Sequence, residues 1–128
     1  MRILVIEDEQ DLLLGYDSAL RRVGYKNVKS FSDSTKALRF IADLKNLFFY
    51  KLAIIDIRMP GINGIQLYNI LKILKPSLKI LFLTALDSVD ELTSIYSDVK
   101  SDDIIRKPFE FSEFVKVVDN KISKIEIN

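Results

Sequence analysis

Short runs of consecutive apolar residues recur along this chain, separated by longer stretches of helical periodicity. That alternation restricts the fold more than any other property of the sequence. Ile3-Leu4-Val5-Ile6, Leu52-Ala53-Ile54-Ile55 and Ile80-Leu81-Phe82-Leu83 have the length of strands and no polar alternate positions. Strands buried on both faces of a parallel sheet read this way. Asn27 to Phe31 reads as a weaker strand, and the region around Ile104 to Arg106 as a last one. From Asp11 onward Leu12, Gly15, Tyr16, Ala19 and Leu20 share one helical face, and Gly24 stops that helix. Leu13 and Leu14 fall outside the stripe and are expected to be partly exposed. Ser32-Asp33-Ser34 offers caps for a second helix carrying Ala37, Leu38 and Ile41. Gly64 to Leu74 makes a third, closed by Pro76, and Ser88 to Tyr96 a shorter fourth. Phe111, Phe114, Val115, Val118 and Ile122 form the core stripe of the last. Five strand-then-helix units predict an open, doubly wound α/β sheet. With no repeat, low-complexity segment or linker, residues 1–128 read as one domain without an output domain.

In a sheet of this kind ligands bind beyond the carboxyl ends of the strands. The first strand runs into Glu7-Asp8-Glu9, the third into Asp56, the fourth into Thr84, and the fifth into Lys107-Pro108. Singly, each is more often a helix cap, a strand residue or a turn; the signal is that all lie on one predicted rim. Gathering carboxylates in one crevice disfavours their ionised forms, and a divalent cation with a lysine ammonium would relieve that. The combination suits phosphoryl transfer, where a protein mainly positions groups and neutralises charge on phosphate oxygens. An aspartate is ionised and nucleophilic at neutral pH without a partner base.

Composition narrows the chemistry further. The chain holds no Cys and no His. Disulfides, thiolate chemistry, Cys/His zinc sites and histidine acid–base catalysis are therefore out, and any metal must sit on oxygen ligands. Without histidine, the phosphoryl group has to arrive from outside. A formal net charge of +1 gives no reason to expect nucleic acid or an anionic membrane as partner. No secretory signal or run of roughly 20 apolar residues is visible, so a cytoplasmic protein is expected.

Four segments make the resemblance specific: Ile3-Leu4-Val5-Ile6-Glu7-Asp8-Glu9, Ile54 through Gly64 (with Asp56-Ile57-Arg58-Met59-Pro60-Gly61), Phe82-Leu83-Thr84-Ala85, and Lys107-Pro108-Phe109. In this order and at these spacings the sequence resembles the receiver domains of two-component response regulators over essentially its whole length. The resemblance implies a flavodoxin-like (βα)5 fold, a five-stranded parallel sheet in the order 2-1-3-4-5. It implies Asp56 as phosphoacceptor, with magnesium (or manganese) held by Asp8, by Glu7 through water, by Asp56 and by the backbone carbonyl of Arg58. Thr84 would hydrogen-bond a phosphoryl oxygen, Ala85 would leave it room, and Lys107 would pair with the phosphate and, before that, with Asp56. The Lys107–Pro108 bond would be cis, aiming the lysine inward. Gly64 matches the position that lets the loop turn into the third helix. The implied partner is a histidine kinase or histidine phosphotransfer protein, with the chain a monomer or a phosphorylation-dependent dimer. The first helix resembles a docking surface for the kinase, here through Leu13 and Leu14. The domain would catalyse only its own phosphorylation and dephosphorylation.

Two departures stand out. Receiver domains usually place Tyr or Phe three residues before the lysine, where the ring moves with the Thr/Ser; this chain has Ile104 there. The usual Gly-Ala before that strand is replaced by Val99-Lys100-Ser101. Coupling between Thr84 and position 104 is therefore expected to be weaker or to use another element. Three rival readings are a flavin binder, a pseudo-receiver that does not switch by phosphorylation, and a magnesium-dependent phosphohydrolase. Glu7-Asp8-Glu9 is hostile to a flavin phosphate, the intact acidic set opposes a pseudo-receiver, and no second aspartate near Asp56 supplies the acid–base group of a hydrolase.

Overall fold

A computed structural model of the chain describes residues 2–85, 92–94, 96 and 98–127. The fourth helix expected over Ser88 to Tyr96 lies largely outside the described residues. The strands are β1 (Arg2–Ile6), β2 (Asn27–Phe31), β3 (Tyr50–Asp56), β4 (Lys79–Ala85) and β5 (Ile104–Lys107). The helices are α1 (Gln10–Arg22), α2 (Ser34–Ala42), α3 (Leu44–Phe48), α4 (Gly64–Leu74) and α5 (Phe111–Ile127). All strands pair in parallel in the order β2-β1-β3-β4-β5, as the resemblance implied. Ile3, Val5, Leu52 and Ile54 face α1 and α5, while Leu4, Ile6, Ala53 and Ile55 face α2, α3 and α4. Each of these valines, leucines and isoleucines contributes about 1.5–3 kcal/mol on full burial. Alternate residues thus supply two cores, which is why the apolar runs of β1, β3 and β4 have no polar alternate positions.

Helix starts follow the local chemistry. Asp33 caps α2 by accepting the Thr35 N–H (2.8 Å). Asn63 and Gln66 form a reciprocal capping box at α4, each side chain accepting the other's backbone N–H at 2.9 Å. The short α3 was not anticipated: Leu47 is its one buried residue, and five residues show no periodicity. Its signal was Asp43, which accepts the Lys45 N–H (3.0 Å).

The reading of α1 needs correction. Leu13, expected at the surface, is 6% exposed, and the buried stripe is Leu13, Tyr16 and Leu20. Leu14 is exposed as expected, at 64%. The stripe turns because Gly15 presents no side chain: the ring of Phe111 lies over it, and a Cβ there would stand 2.3 Å from Phe111 Cζ. Phe111, assigned to the α5 core, is half-exposed while doing this. It meets Tyr16 edge-on, with centroids 5.8 Å apart.

Lys75, just beyond α4, donates from Nζ to the carbonyls of Leu47 (3.3 Å), Phe48 (2.7 Å) and Tyr50. One ammonium thereby satisfies backbone acceptors at the end of α3 and the start of β3. Lys75→Met keeps the aliphatic stem and removes those bonds, so a loss of about 1–3 kcal/mol is expected. A lower urea midpoint at unchanged m-value would show it.

Candidate functional site

The carboxyl edge of the sheet brings the predicted acids and lysine together. Glu7 follows β1, and its N–H donates to the Phe31 carbonyl (3.1 Å), which fixes the backbone beside β2. Asp56 ends β3 and Lys107 ends β5. Lys107 Nζ reaches both carboxylates, donating to Glu7 Oε1 (3.0 Å) and to Asp56 Oδ2 (3.3 Å). The other Asp56 oxygen, Oδ1, accepts the Arg58 N–H at 3.3 Å. Glu7 and Asp56 are buried, whereas Asp8 is half-buried. The Lys107–Pro108 peptide is cis, as expected.

These groups carry more negative charge than they compensate. Glu7 is pushed up to about 8, first by burial, then by its hydrogen bond with Asp56 and the charge there, against the lowering influence of Lys107. Burial works against the Lys107 ammonium, but the Glu7 and Asp56 carboxylates outweigh it and raise its pKa. Beneath lies Tyr16, whose phenol is raised by burial and by the nearby Glu7 and Asp56 carboxylates. Its ring packs on Phe114 and Phe109, with centroids 4.8 and 5.9 Å away. The floor of the site is therefore dry and aromatic, which strengthens every electrostatic interaction above it.

A hard cation fits this arrangement. Oxygens of Glu7, Asp8 and Asp56 lie within 4.8 Å of one another. Glu7 Oε2 is a buried oxygen with no hydrogen-bond partner among the described residues, and an unpartnered carboxylate oxygen in a dry site is costly. Without a metal the buried Glu7 carboxyl, raised to about 8, answers this crowding by holding a proton; a dication with oxygen ligands would replace that proton, and magnesium binds through few carboxylates while retaining waters.

Thr84 and Ala85 close the same edge on β4. Thr84 is buried and its hydroxyl donates to the Ala85 carbonyl (3.3 Å), while Ala85 pairs in register with Lys107. Gly64 holds the loop after Asp56, donating its N–H to the Ile57 carbonyl (2.9 Å). What the position requires is closeness rather than an unusual turn: a Cβ would lie 2.5 Å from the Asp56 carbonyl oxygen and 2.7 Å from Ile57 Cα. Gly64→Ala is therefore expected to destabilise the fold by about 2–4 kcal/mol. A thermal midpoint lower by about 5 °C or more would register it.

Ile104 is buried at the start of β5, paired with Phe82 of β4. Around it lies an aromatic group that sequence reasoning missed. Tyr68 of α4 packs on Phe82 (centroids 5.3 Å) and on Tyr96 (5.4 Å), and its hydroxyl donates to Asp98 Oδ2 (2.6 Å). On α1, the docking residues separate: Leu14 faces solvent and Leu13 does not.

A family profile described as the response regulator receiver domain matches residues 3–119. Among curated proteins, the chain is 36% identical to the transcriptional regulatory protein HprR of Escherichia coli over 115 residues, 90% of this chain and 48% of that one. It is 34% identical to the uncharacterised transcriptional regulatory protein YrkP of Bacillus subtilis over 113 residues, 88% of this chain and 45% of that one. The chain thus spans about half the length of the curated relatives it matches. A receiver domain protein from Clostridium thermocellum superposes with a TM-score of 0.82 at 24% identity, covering 98% and 97% of the two chains. The response regulator TrrA of Thermotoga maritima, in complex with Mg2+-BeF, gives 0.74 at 29% identity over 93% and 96%.

Proposed function

This chain belongs to the response regulator receiver domain family, and from that premise we propose that Asp56 accepts a phosphoryl group in a magnesium-dependent reaction. One observation carries the proposal: Lys107 Nζ bridges Glu7 and Asp56 at a cluster whose spare carboxylate oxygen lacks a partner. An Asp56 carboxylate oxygen attacks phosphorus of a phosphohistidine or small acyl phosphate. The P–O bond to Asp56 forms as the bond to the donor breaks, and the leaving group departs with the electron pair. Lys107 remains an ammonium and exchanges part of its contact with Asp56 for the incoming phosphoryl oxygens. Thr84 supplies a hydroxyl to one of those oxygens, and Ala85 leaves space beside them. The acyl phosphate is later hydrolysed in the same site, so the domain acts on its own phosphorylation state. Glu7, Asp8, Asp56 and the Arg58 carbonyl would hold magnesium, whose charge offsets that of the phosphoryl oxygens.

The donor partner is a histidine kinase or histidine phosphotransfer protein, with Leu14 of α1 within its docking surface. The phosphorylated state is read through altered affinity for a partner. Because Ile104 replaces the usual ring, the readout passes through the group of Tyr68, Phe82 and Tyr96.

Incubation with acetyl phosphate, with magnesium or with excess chelator, tests the metal dependence. Labelling is expected with magnesium and is expected to fall by about 100-fold or more without it. Equal labelling under both conditions would remove the metal from the reaction.

A further inference from the structure

The end of the molecule opposite the carboxylate cluster has a different character. Because the strands are parallel, Arg2, Asn27, Tyr50 and Lys79 begin along one edge. Register sets Arg2 beside Asn27 and Tyr50, and Lys79 beside Leu52. Lys26 precedes β2 and Lys51 follows Tyr50, both exposed. At this edge the turn between α3 and β3 presents adjacent phenylalanines. Phe48 is 69% exposed and Phe49 is 54% exposed, their rings edge-to-face with centroids 5.3 Å apart. Leu44, one helical turn before Phe48, is exposed as well. The Arg2 guanidinium stands 4.9 Å from the Phe49 centroid and Lys75 Nζ 5.9 Å from that of Phe48. Lys45 and Lys51 flank the pair in sequence, and Asp43, the one carboxylate of residues 43–51, is engaged in capping α3.

Adjacent exposed phenyl rings ringed by cations ask for an occupant that is both apolar and anionic. A second copy meeting this edge through the same face would set Arg2, Lys45, Lys51 and Lys75 against their equivalents, which like-charge repulsion opposes. A nucleic acid would use the cations and stack on the rings, but gives Leu44 no role. An anionic lipid surface uses every element: apolar side chains enter the headgroup boundary, and Lys and Arg stems reach to the phosphates. We propose that the basic, aromatic edge formed by Arg2, Lys45, Phe48, Phe49 and Lys51 attaches this domain peripherally to anionic lipid bilayers. None of the described helices is long and apolar enough to cross a membrane, so the attachment is interfacial. It leaves Glu7, Asp8 and Asp56, at the far ends of the same strands, facing away from the negative surface and open to a donor. The inference stands whether or not Asp56 is phosphorylated.

The test is co-sedimentation of the full chain with vesicles of phosphatidylglycerol and phosphatidylcholine, against vesicles of phosphatidylcholine alone. Partitioning onto the anionic vesicles is expected to exceed that onto neutral ones by about 10-fold and to weaken as salt rises. Phe48→Ser with Phe49→Ser is expected to lower it about fivefold. Lys45→Glu with Lys51→Glu is expected to lower it about 10-fold or more, which keeps the test intact should the first variant fold poorly. Neither pair touches the Asp56 site, so thermal midpoint and labelling with acetyl phosphate are expected to be kept. Equal partitioning onto both vesicle types overturns the proposal, as does anionic binding indifferent to both variants. Binding of a single-stranded oligonucleotide through these residues, without vesicle binding, also overturns it and assigns the edge to nucleic acid.

Discussion

Asp56→Asn is expected to abolish phosphorylation by acetyl phosphate while leaving the fold intact. The substitution is nearly isosteric, and an amide retains an oxygen able to accept the Arg58 N–H now held at 3.3 Å. It also removes one of two carboxylates competing for Lys107, so Glu7 keeps its ammonium partner at 3.0 Å. What disappears is the nucleophile: a carboxylate oxygen carries the charge and lone pair that attack phosphorus, and an amide oxygen does not. Other carboxylates do not replace it. Asp8 and Glu7 follow β1 while Asp56 ends β3, and Glu7 is fully buried with its carboxyl raised to about 8, which makes it a poor nucleophile. Quantified by intact mass after incubation with the donor and magnesium, the phosphorylated fraction is expected to be at background.

Lys107→Met is expected to slow phosphorylation by about 10²- to 10³-fold, the loss typical when one preorganised donor to developing charge is removed. Lys107 is held by two carboxylates beside the place proposed for the phosphoryl oxygens, so its charge would not have to be reorganised during transfer. The variant leaves Glu7 buried without a cation. Lys107 is a group that lowers the Glu7 pKa, so without it the carboxyl, already raised to about 8, stays protonated and leaves no unpaired charge, and the fold is expected to survive. Lys107→Arg keeps the charge on a wider planar group and is expected to recover part of the rate. Initial rates of acetyl phosphate labelling separate the three proteins, and an unchanged rate in Lys107→Met would deny the lysine its role.

The sheet was legible because strand burial on both faces leaves an unbroken apolar run, and the cores on either side of β1 and β3 translate those runs directly. The polar set was legible for a related reason: parallel strands deliver the residue after each run to one edge. The helices were read less well. A stripe drawn from leucine spacing put Leu13 outside and Phe111 inside, because a glycine at position 15 lets a ring from α5 occupy its face. That exchange is a tertiary event with no local signal. The Tyr68–Asp98 bond joins residues thirty apart in sequence, and nothing in the local pattern around either foretells it. Net charge carries less: a value of +1 does not tell where charges lie, and Glu7, Asp8 and Asp56 gather at one edge only through the strand directions.

The most direct test of the central claim is to locate the phosphoryl group in the wild-type chain after reaction with acetyl phosphate and magnesium. The acyl phosphate should be found on Asp56 alone, carried by the peptide containing Ile54 through Arg58 and lost on treatment with hydroxylamine. A hydroxylamine-stable phosphate on Thr84 or any serine, or a phosphorylated chain whose Asp56 peptide is unmodified, would contradict it.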